Sequence, residues 1–309
     1  MSTYPSSGFQ STHLTDKLQR FTMHQLHRGR RRRYLHRLHL RRGPPAMRFT
    51  KTQDLFDVID HTCVDSLTVT NVSLIEFTKI ERAREKQGRK FRFRDYDSNS
   101  QTLIITIPTD LHEELHGQLY DEFIGQVRDM GLKNSWRGIR GATRSAQGHS
   151  GRSSKEGDSS GGPKPQRAGK GAWPTLVIEA GFSQTLGQLH LTMKRWFSMS
   201  NHEVKIVLLA KYDNTRSVII LEKWEEEIAV RPGATTTRHS LQHPTPVLRQ
   251  SITITQNTTT NPTSYNVTSG ALVLSFRLLF LRDPNHGEGD FVFSVQELEE
   301  YAKKVWDLV

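Results

Sequence analysis

The stretch WPTLVIEAGFSQTLGQL, from Trp173 to Leu189, constrains the fold more than any other part of the sequence. Its apolar run LVI ends at the carboxylate of Glu179, and this predicts a buried strand. Thr185 and Gln188 then form a capping-box pair at the start of an amphipathic helix. An unpaired charge in an apolar interior is costly, so Glu179 requires either a structural partner or a bound ligand.

Helices and a hairpin are predicted upstream of this stretch. The segment from Ser73 to Gly88 is typical of a helix, and residues 89–108 alternate as in a β-hairpin around the turn DSNS. Apolar residues recur at helical spacing over 109–132, where Asp110 and Glu113 form a capping-box pair. Residues 133–172 are rich in Gly, Ser and Arg, and this composition predicts a loop.

Strands dominate the downstream half. The runs EVKIVLLAKY, RSVIILEKWE, QSITITQ and ALVLSFRLLFL are each predicted as a strand, and Ser294 with Glu297 caps a terminal helix whose apolar face ends at Val309. The order of elements predicts an α/β fold with a mixed sheet flanked by helices. We expect a disordered basic tail over 1–46, a core over 47–230 and a C-terminal extension of strands and a helix over 231–309.

The composition excludes some classes of protein. The chain has 309 residues, a net charge of +11 and one cysteine, so a disulfide framework is excluded and a reducing, intracellular compartment is expected. No apolar run is long enough to span a bilayer, so no membrane partner is expected. The spacing of the histidines is not that of a zinc site.

A basic run, HRGRRRRYLHRLHLRRG, extends from His27 to Gly43. Three interpretations remain open. It is a nuclear-localisation or nucleic-acid-binding tail, which we favour; it is a mitochondrial presequence; or the domain itself begins at Met47.

Three acids are candidates for chemistry. Asp158 precedes Glu179 by about twenty residues, close enough for neighbouring strands of one sheet, and Glu156 shares a face with Asp158 if the backbone is extended. Two carboxylates at adjacent strand ends match the oxygen ligands that Mg²⁺ prefers, and a bound metal can activate water against a phosphodiester. The alternatives are a structural carboxylate at Glu179 and a solvated turn residue at Asp158.

The segments SSKEGDSS, WPTLVIEAGFSQTLGQL, RWFSMSNHEVKIVLL and IILEKWE resemble a group of fungal proteins, which in turn resemble bacterial proteins of the PD-(D/E)XK nuclease superfamily. The resemblance extends over about 73–309, including His112. It implies a restriction-endonuclease-like core, Mg²⁺-dependent cleavage of nucleic acid, and metal binding by Asp158 and Glu179. Two positions depart from the pattern, because Gly157 replaces the proline before the aspartate and Gly181 replaces the lysine after the acid.

Other residues are expected to complete such a site. A replacement lysine would come from Lys205 on the adjacent strand or, less favourably, from Lys194 on the intervening helix; the simpler interpretation of Lys205 is a strand residue with its ammonium at the rim. We expect five basic residues of the predicted loop to bind phosphates: Arg137, Arg140, Arg144, Arg152 and Lys155. The competing functions are a nuclease, a nucleic-acid-binding module that no longer cuts, and a protein-interaction domain.

Overall fold

The computed structural model of the chain describes residues 46–62, 64–139, 144–145, 154–228 and 244–309. Mixed sheets flanked by helices make up this part of the chain, so the predicted α/β class is confirmed. Within it, no helix has the length and apolar character needed to cross a membrane. The predicted tail over 1–46 lies outside the described residues, apart from its last residue.

The described strands, in chain order, are β1 Ala46–Arg48, β2 Ser66–Thr70, β3 Arg92–Asp97, β4 Thr102–Thr106, β5 Trp136–Gly138, β6 Arg144–Ser145, β7 Ser154–Lys155, β8 Ser159–Pro163, β9 Leu176–Gly181, β10 Ile206–Asp213, β11 Val218–Glu227, β12 Thr245–Asn257, β13 Ser264–Val267, β14 Leu272–Leu274 and β15 Phe291–Phe293. The described α-helices are α1 Thr52–His61, α2 Leu74–Lys86, α3 Asp110–Asp129, α4 Leu186–Met199, α5 Phe276–Phe280 and α6 Val295–Trp306.

Two large sheets organise these elements. The first has seven strands in the order β13-β12-β11-β10-β9-β8-β5, in which β9 and β10 are parallel and the other neighbours antiparallel. The second has the order β1-β2-β4-β3-β7-β6 and contains the predicted hairpin as β3 and β4. Helices α3 and α4 both contact β9 and β10, so the centre of the first sheet is covered by helices.

The strand β9 lies at the centre of the core. All six of its residues are buried, as the apolar run predicted. Val177 of this strand packs with Leu189, Met193 and Trp196 of α4. Glu179 points to the same face of β9 as Val177, toward α4, because side chains two residues apart in a strand share a face.

The helix ends agree with most of the predicted caps. Thr185 with Gln188, and Ser294 with Glu297, form the predicted capping boxes of α4 and α6. The predicted cap of α3 was wrong by one residue. Thr109, whose backbone is extended, accepts a hydrogen bond from the backbone N–H of His112, and Asp110 is already helical.

The predicted loop over 133–172 contains strands of both sheets. Strand β8, with the sequence SSGGP, forms antiparallel pairs with β5 and β9. Its glycines carry little packing of their own, which is why composition indicated a loop. A Cβ atom at Gly161 would stand 2.5 Å from Nε1 of Trp136, so the ring of Trp136 occupies the space that a side chain in β8 would fill.

The tail also differs from prediction in two places. The run ALVLSFRLLFL forms β14 and then the short helix α5, because its apolar residues Phe276, Leu279 and Phe280 follow helical spacing after Ser275. At the end of α6 the side chain of Val309 is exposed, whereas we expected it on the apolar face.

Candidate functional site

The two acids that the sequence singled out lie side by side. Asp158 immediately precedes β8, and Glu179 lies in β9, the strand paired with β8 through Ser159 and Ile178. Both carboxylates have side chains that are at most 1% exposed. The antiparallel pairing of two short strands therefore brings together residues that are about twenty positions apart in the sequence.

The guanidinium of Arg94, on β3 of the second sheet, lies between these carboxylates. Its Nη2 donates to Oε2 of Glu179 at 2.9 Å and to Oδ2 of Asp158 at 3.2 Å. Its Nε also donates to Glu179 at 2.9 Å, and further donors reach the carbonyl of Ala180 and the side chain of Gln184. Arg94 is itself 1% exposed, so the group that satisfies the charge of Glu179 is a buried arginine.

Lys155 adds a second buried cation on the other side of Glu179. Its Nζ lies 3.9 Å from Oε1 of Glu179 and 4.9 Å from the centre of the Trp196 ring, and it donates to the carbonyl of Arg94 at 3.4 Å. Trp196 donates its indole N–H to the same Oε1. Burial lowers the pKa of Lys155, although the charge of Glu179 opposes that shift.

Asp158 is surrounded by donors. The backbone N–H of Ala180 donates to its Oδ2 at 2.9 Å, while Nε2 of His112 and Nη1 of Arg92 approach its Oδ1 at 3.2 and 3.5 Å. Burial alone would raise the pKa of this carboxyl, but the positive charges of His112 and Arg94 outweigh burial and hold the pKa well below its usual value.

Asp65 extends the network beyond Asp158. Its carboxylate lies 3.2 Å from Nδ1 of His112 and accepts hydrogen bonds from the backbone N–H groups of Phe182 and Ser183, at 2.8 Å each. Although burial raises the pKa of Asp65, these donors lower it overall. Between Asp65 and Asp158, the pKa of His112 is raised to about 9 despite its burial.

Glu156, the third acid, does not join this centre. Its carboxylate receives a bidentate pair from Arg84 at 2.9 and 3.0 Å and the backbone N–H of Phe93 at 3.0 Å. These contacts fasten the segment before Asp158 to β3 and α2. Glu156 is therefore a structural carboxylate in this fold.

The expected lysine, Lys205, lies away from the acids. It immediately precedes β10, where its Nζ donates to the carbonyl of His202 at 2.7 Å. The residue of β10 opposite Glu179 is Leu209, four positions further on, which is about 13 Å along a strand. Lys194 of α4 lines a separate surface groove together with Asp95.

A different lysine lies opposite Gly181, the position at which the nuclease pattern has a lysine. Lys211 of β10 pairs with Gly181, and its Nζ donates to the carbonyls of Phe182 and Tyr212 at 2.7 and 2.6 Å. A side chain at Gly181 itself has little room, because a Cβ atom there would stand 3.1 Å from Leu189. The packing of α4 thus accounts for the glycine at that position.

The five residues expected to bind phosphates differ in where the structure places them. Lys155 is fully buried beside Glu179, so its ammonium cannot meet a phosphate at the surface, contrary to expectation. Arg137 is half-buried, and its Nη1 donates to the carbonyls of Ala168 and Gly169 at 2.8 and 3.2 Å. Arg140, Arg152 and the side chain of Arg144 lie outside the described residues.

The acid pair does not fit a hydrated Mg²⁺ ion in this arrangement. Mg²⁺ is bound through one or two carboxylates and retains several waters, so its site needs open space beside the oxygens. Here the carboxylates of Asp158 and Glu179 already accept hydrogen bonds from protein donors, and Arg94 fills the space between them. The convergence expected for a metal pair is present, but a guanidinium takes the place of the cation.

The sequence reasoning missed a histidine pair on the first turns of α3. The residues HEELH, His112 to His116, place two histidines four apart with a glutamate after the first, which is the spacing of helical zinc motifs. His112, Glu113 and His116 each offer a ligand atom within 4.8 Å of the others. Our expectation that the histidines show no spacing typical of a zinc site was therefore wrong.

Comparison with protein-family models and with curated proteins finds no match. The resemblance to PD-(D/E)XK nucleases therefore rests on the residues of this chain.

Proposed function

We propose that this protein is a nucleic-acid-binding domain with a restriction-endonuclease-like core whose acid pair does not cut. The observation that carries the proposal is the position of Arg94. A guanidinium hydrogen-bonded to both Asp158 and Glu179 neutralises the carboxylates that would otherwise hold Mg²⁺. What supports the core is the antiparallel pair β8–β9, followed by α4 and the parallel strand β10, in the order that the resemblance implies.

The distribution of charge indicates where nucleic acid binds. Residues 1–45 hold ten of the 43 lysines and arginines and a single acid, Asp16. Residues 46–309 hold the other 33 basic residues against 31 acids. Most of the net charge of +11 therefore belongs to the first 45 residues, and a polyanion gains most of its counterion release there.

Salt dependence of binding tests this assignment. Full-length protein is titrated into labelled DNA and RNA oligonucleotides between about 50 and 200 mM salt. Replacing Arg28 and the four arginines 30–33 by glutamine is expected to reduce the slope of log K against log[salt] for duplex DNA by up to about 4.5, since each lost phosphate contact removes about 0.9. A control replaces Arg216 and Arg277, which are exposed arginines among the described residues, and should leave the slope nearly unchanged.

Two results would redirect the proposal. Negligible affinity at low salt would contradict nucleic-acid binding and favour the protein-interaction domain. A slope unaffected by the five substitutions would place the binding surface elsewhere in the chain.

A catalytic alternative is favoured by one observation. Lys155, Asp158 and Glu179 supply a lysine and two acids in one buried cluster, the residue types that the nuclease pattern requires. Cleavage would then need Arg94 to leave the acids when metal and substrate bind. Incubating nucleic acid with Mg²⁺ or Mn²⁺ and either wild type or Glu179→Gln decides between the two: our proposal expects no cleavage by either, and cleavage by wild type alone would establish the nuclease.

A further inference from the structure

The histidine pair of α3 forms a buried cluster of nitrogen and oxygen ligands. His112 is 0% exposed and His116 is 5% exposed, and their rings meet edge to face with centres 5.4 Å apart. Residues four apart on a helix lie one above the other, so both rings point toward the start of β8. The half-exposed Glu113 lies beside this pair, with its Oε2 at 3.5 Å from Nε2 of His116.

Both imidazoles are oriented from outside the cluster. Nδ1 of His112 lies 3.2 Å from the carboxylate of Asp65, and Nδ1 of His116 lies 2.9 Å from the hydroxyl of Ser159. Metal-binding histidines usually donate their other ring N–H to a carboxylate or another acceptor, which fixes the tautomer and the ring orientation. Nε2 is therefore the ring nitrogen that remains available to a ligand in both histidines.

These inward-facing atoms lack hydrogen bonds. Nε2 of His112, Nε2 of His116 and Oε1 of Glu113 are three of the eight buried side-chain polar atoms in the described part of the chain that have no hydrogen-bond partner. Nε2 of His112 does approach Oδ1 of Asp158, at 3.2 Å, but without hydrogen-bond geometry. Native proteins leave few buried polar atoms unsatisfied, and three in one place call for a missing partner.

The distances match the ligand spacing of a small tetrahedral ion. Ligands at 2.0–2.1 Å from a tetrahedral zinc ion stand about 3.3 Å apart. Oε2 of Glu113 and Nε2 of His116 lie 3.5 Å apart. His112, Glu113 and His116 each offer a ligand atom within 4.8 Å of the other two, so a modest movement of side chains brings the three around one ion.

We propose that His112, Glu113 and His116 bind one transition-metal ion, with Zn²⁺ as the best-fitting species. Imidazole and carboxylate ligands suit zinc, whereas Mg²⁺ prefers oxygen alone. Three protein ligands leave the fourth position of a tetrahedral ion to water. Arg92, which donates to Oε2 of Glu113 at 2.8 Å, remains as an outer partner of that ligand.

Metal binding to the full-length protein tests this site without any nucleic acid, so its outcome is independent of the proposed function. Protein freed of metal with a chelator is titrated with Co²⁺, whose visible absorption reports tetrahedral coordination, and Zn²⁺ then displaces it. We expect one equivalent of tetrahedral Co²⁺, displacement by one equivalent of Zn²⁺, and a rise in melting temperature with either ion, because only the native state offers the site.

Variants locate the ion. His116→Asn is expected to abolish the tetrahedral spectrum and to weaken Zn²⁺ binding at least 100-fold, and Asp65→Asn, which removes an orienting partner, to weaken it about 10–100-fold. The control is His202→Asn, because His202 pairs with Glu226 elsewhere in the fold. If His116→Asn is unfolded in chelator, Glu113→Gln, with a more exposed side chain, replaces it under the same criterion. Absence of tetrahedral Co²⁺ in wild type, or a spectrum unchanged in the variant, overturns the proposal.

Discussion

Replacing Arg94 by methionine removes the cation that Asp158 and Glu179 share. The substitution keeps much of the apolar stem but deletes the two hydrogen bonds to Glu179 and the one to Asp158. Breaking a buried ion pair by removing one partner costs about 3–5 kcal/mol, because the remaining charge stays buried without compensation. We expect Arg94→Met to lower the free energy of unfolding by about that amount.

Urea unfolding followed by the fluorescence of the five tryptophans measures this loss. Arg216→Met is the control, since the side chain of Arg216 is 75% exposed and pairs with Asp213 at 3.7 Å; its loss should cost about 1 kcal/mol or less. The double variant Arg94→Met/Glu179→Gln should lose about 1–3 kcal/mol less than the sum of the single variants, because it leaves no unpaired charge at Glu179. A cost below about 1 kcal/mol for Arg94→Met, or strict additivity in the cycle, would refute the reasoning.

Three further predictions concern particular positions. Gly161→Ala should destabilise the fold by about 1–3 kcal/mol in urea unfolding, because its Cβ would meet Trp136 at 2.5 Å, while Gly169→Ala, with no atom within 4 Å, should have little effect; equal effects would contradict the packing of β8. Thr109→Ala should cost about 0.5–2 kcal/mol through the lost cap of α3, and a larger cost for Asp110→Ala would restore the cap predicted from sequence. Because burial lowers the pKa of Lys155 in the folded state, unfolded chains bind more protons between that lowered pKa and about 10.4. The stability of wild type relative to Lys155→Met should therefore increase as the pH rises toward about 10.4, and a flat difference would contradict this.

Local patterns in the sequence predicted most of the elements. The capping boxes at Thr185 and Ser294 and the apolar run of β9 report on neighbours a few residues away, and these predictions are confirmed. Strand β8 failed because its packing comes from Trp136 on another strand rather than from its own residues. Composition describes what a segment contributes to a core and carries no information about what its neighbours contribute.

The candidate site was likewise predictable where local sequence patterns determine it, and unpredictable where a distant residue does. Pairing of β8 with β9 explains why Asp158 and Glu179 converge as the resemblance implied. The partner of Glu179 was not predictable, because Arg94 is 85 residues away and belongs to the other sheet. By contrast, the histidines of α3 carried a readable signal in their spacing of four, since that spacing alone places both rings on one helix face.

The central claim is that Arg94, and not a hydrated cation, balances the buried acids. Melting temperature measured against Mg²⁺ concentration tests it most directly, in wild type, Asp158→Asn and Glu179→Gln. We predict no saturable change with Mg²⁺ in any of the three proteins, because the oxygens of Asp158 and Glu179 are already occupied. A saturable rise in wild type that disappears in both variants would contradict the claim and identify the two acids as a magnesium site.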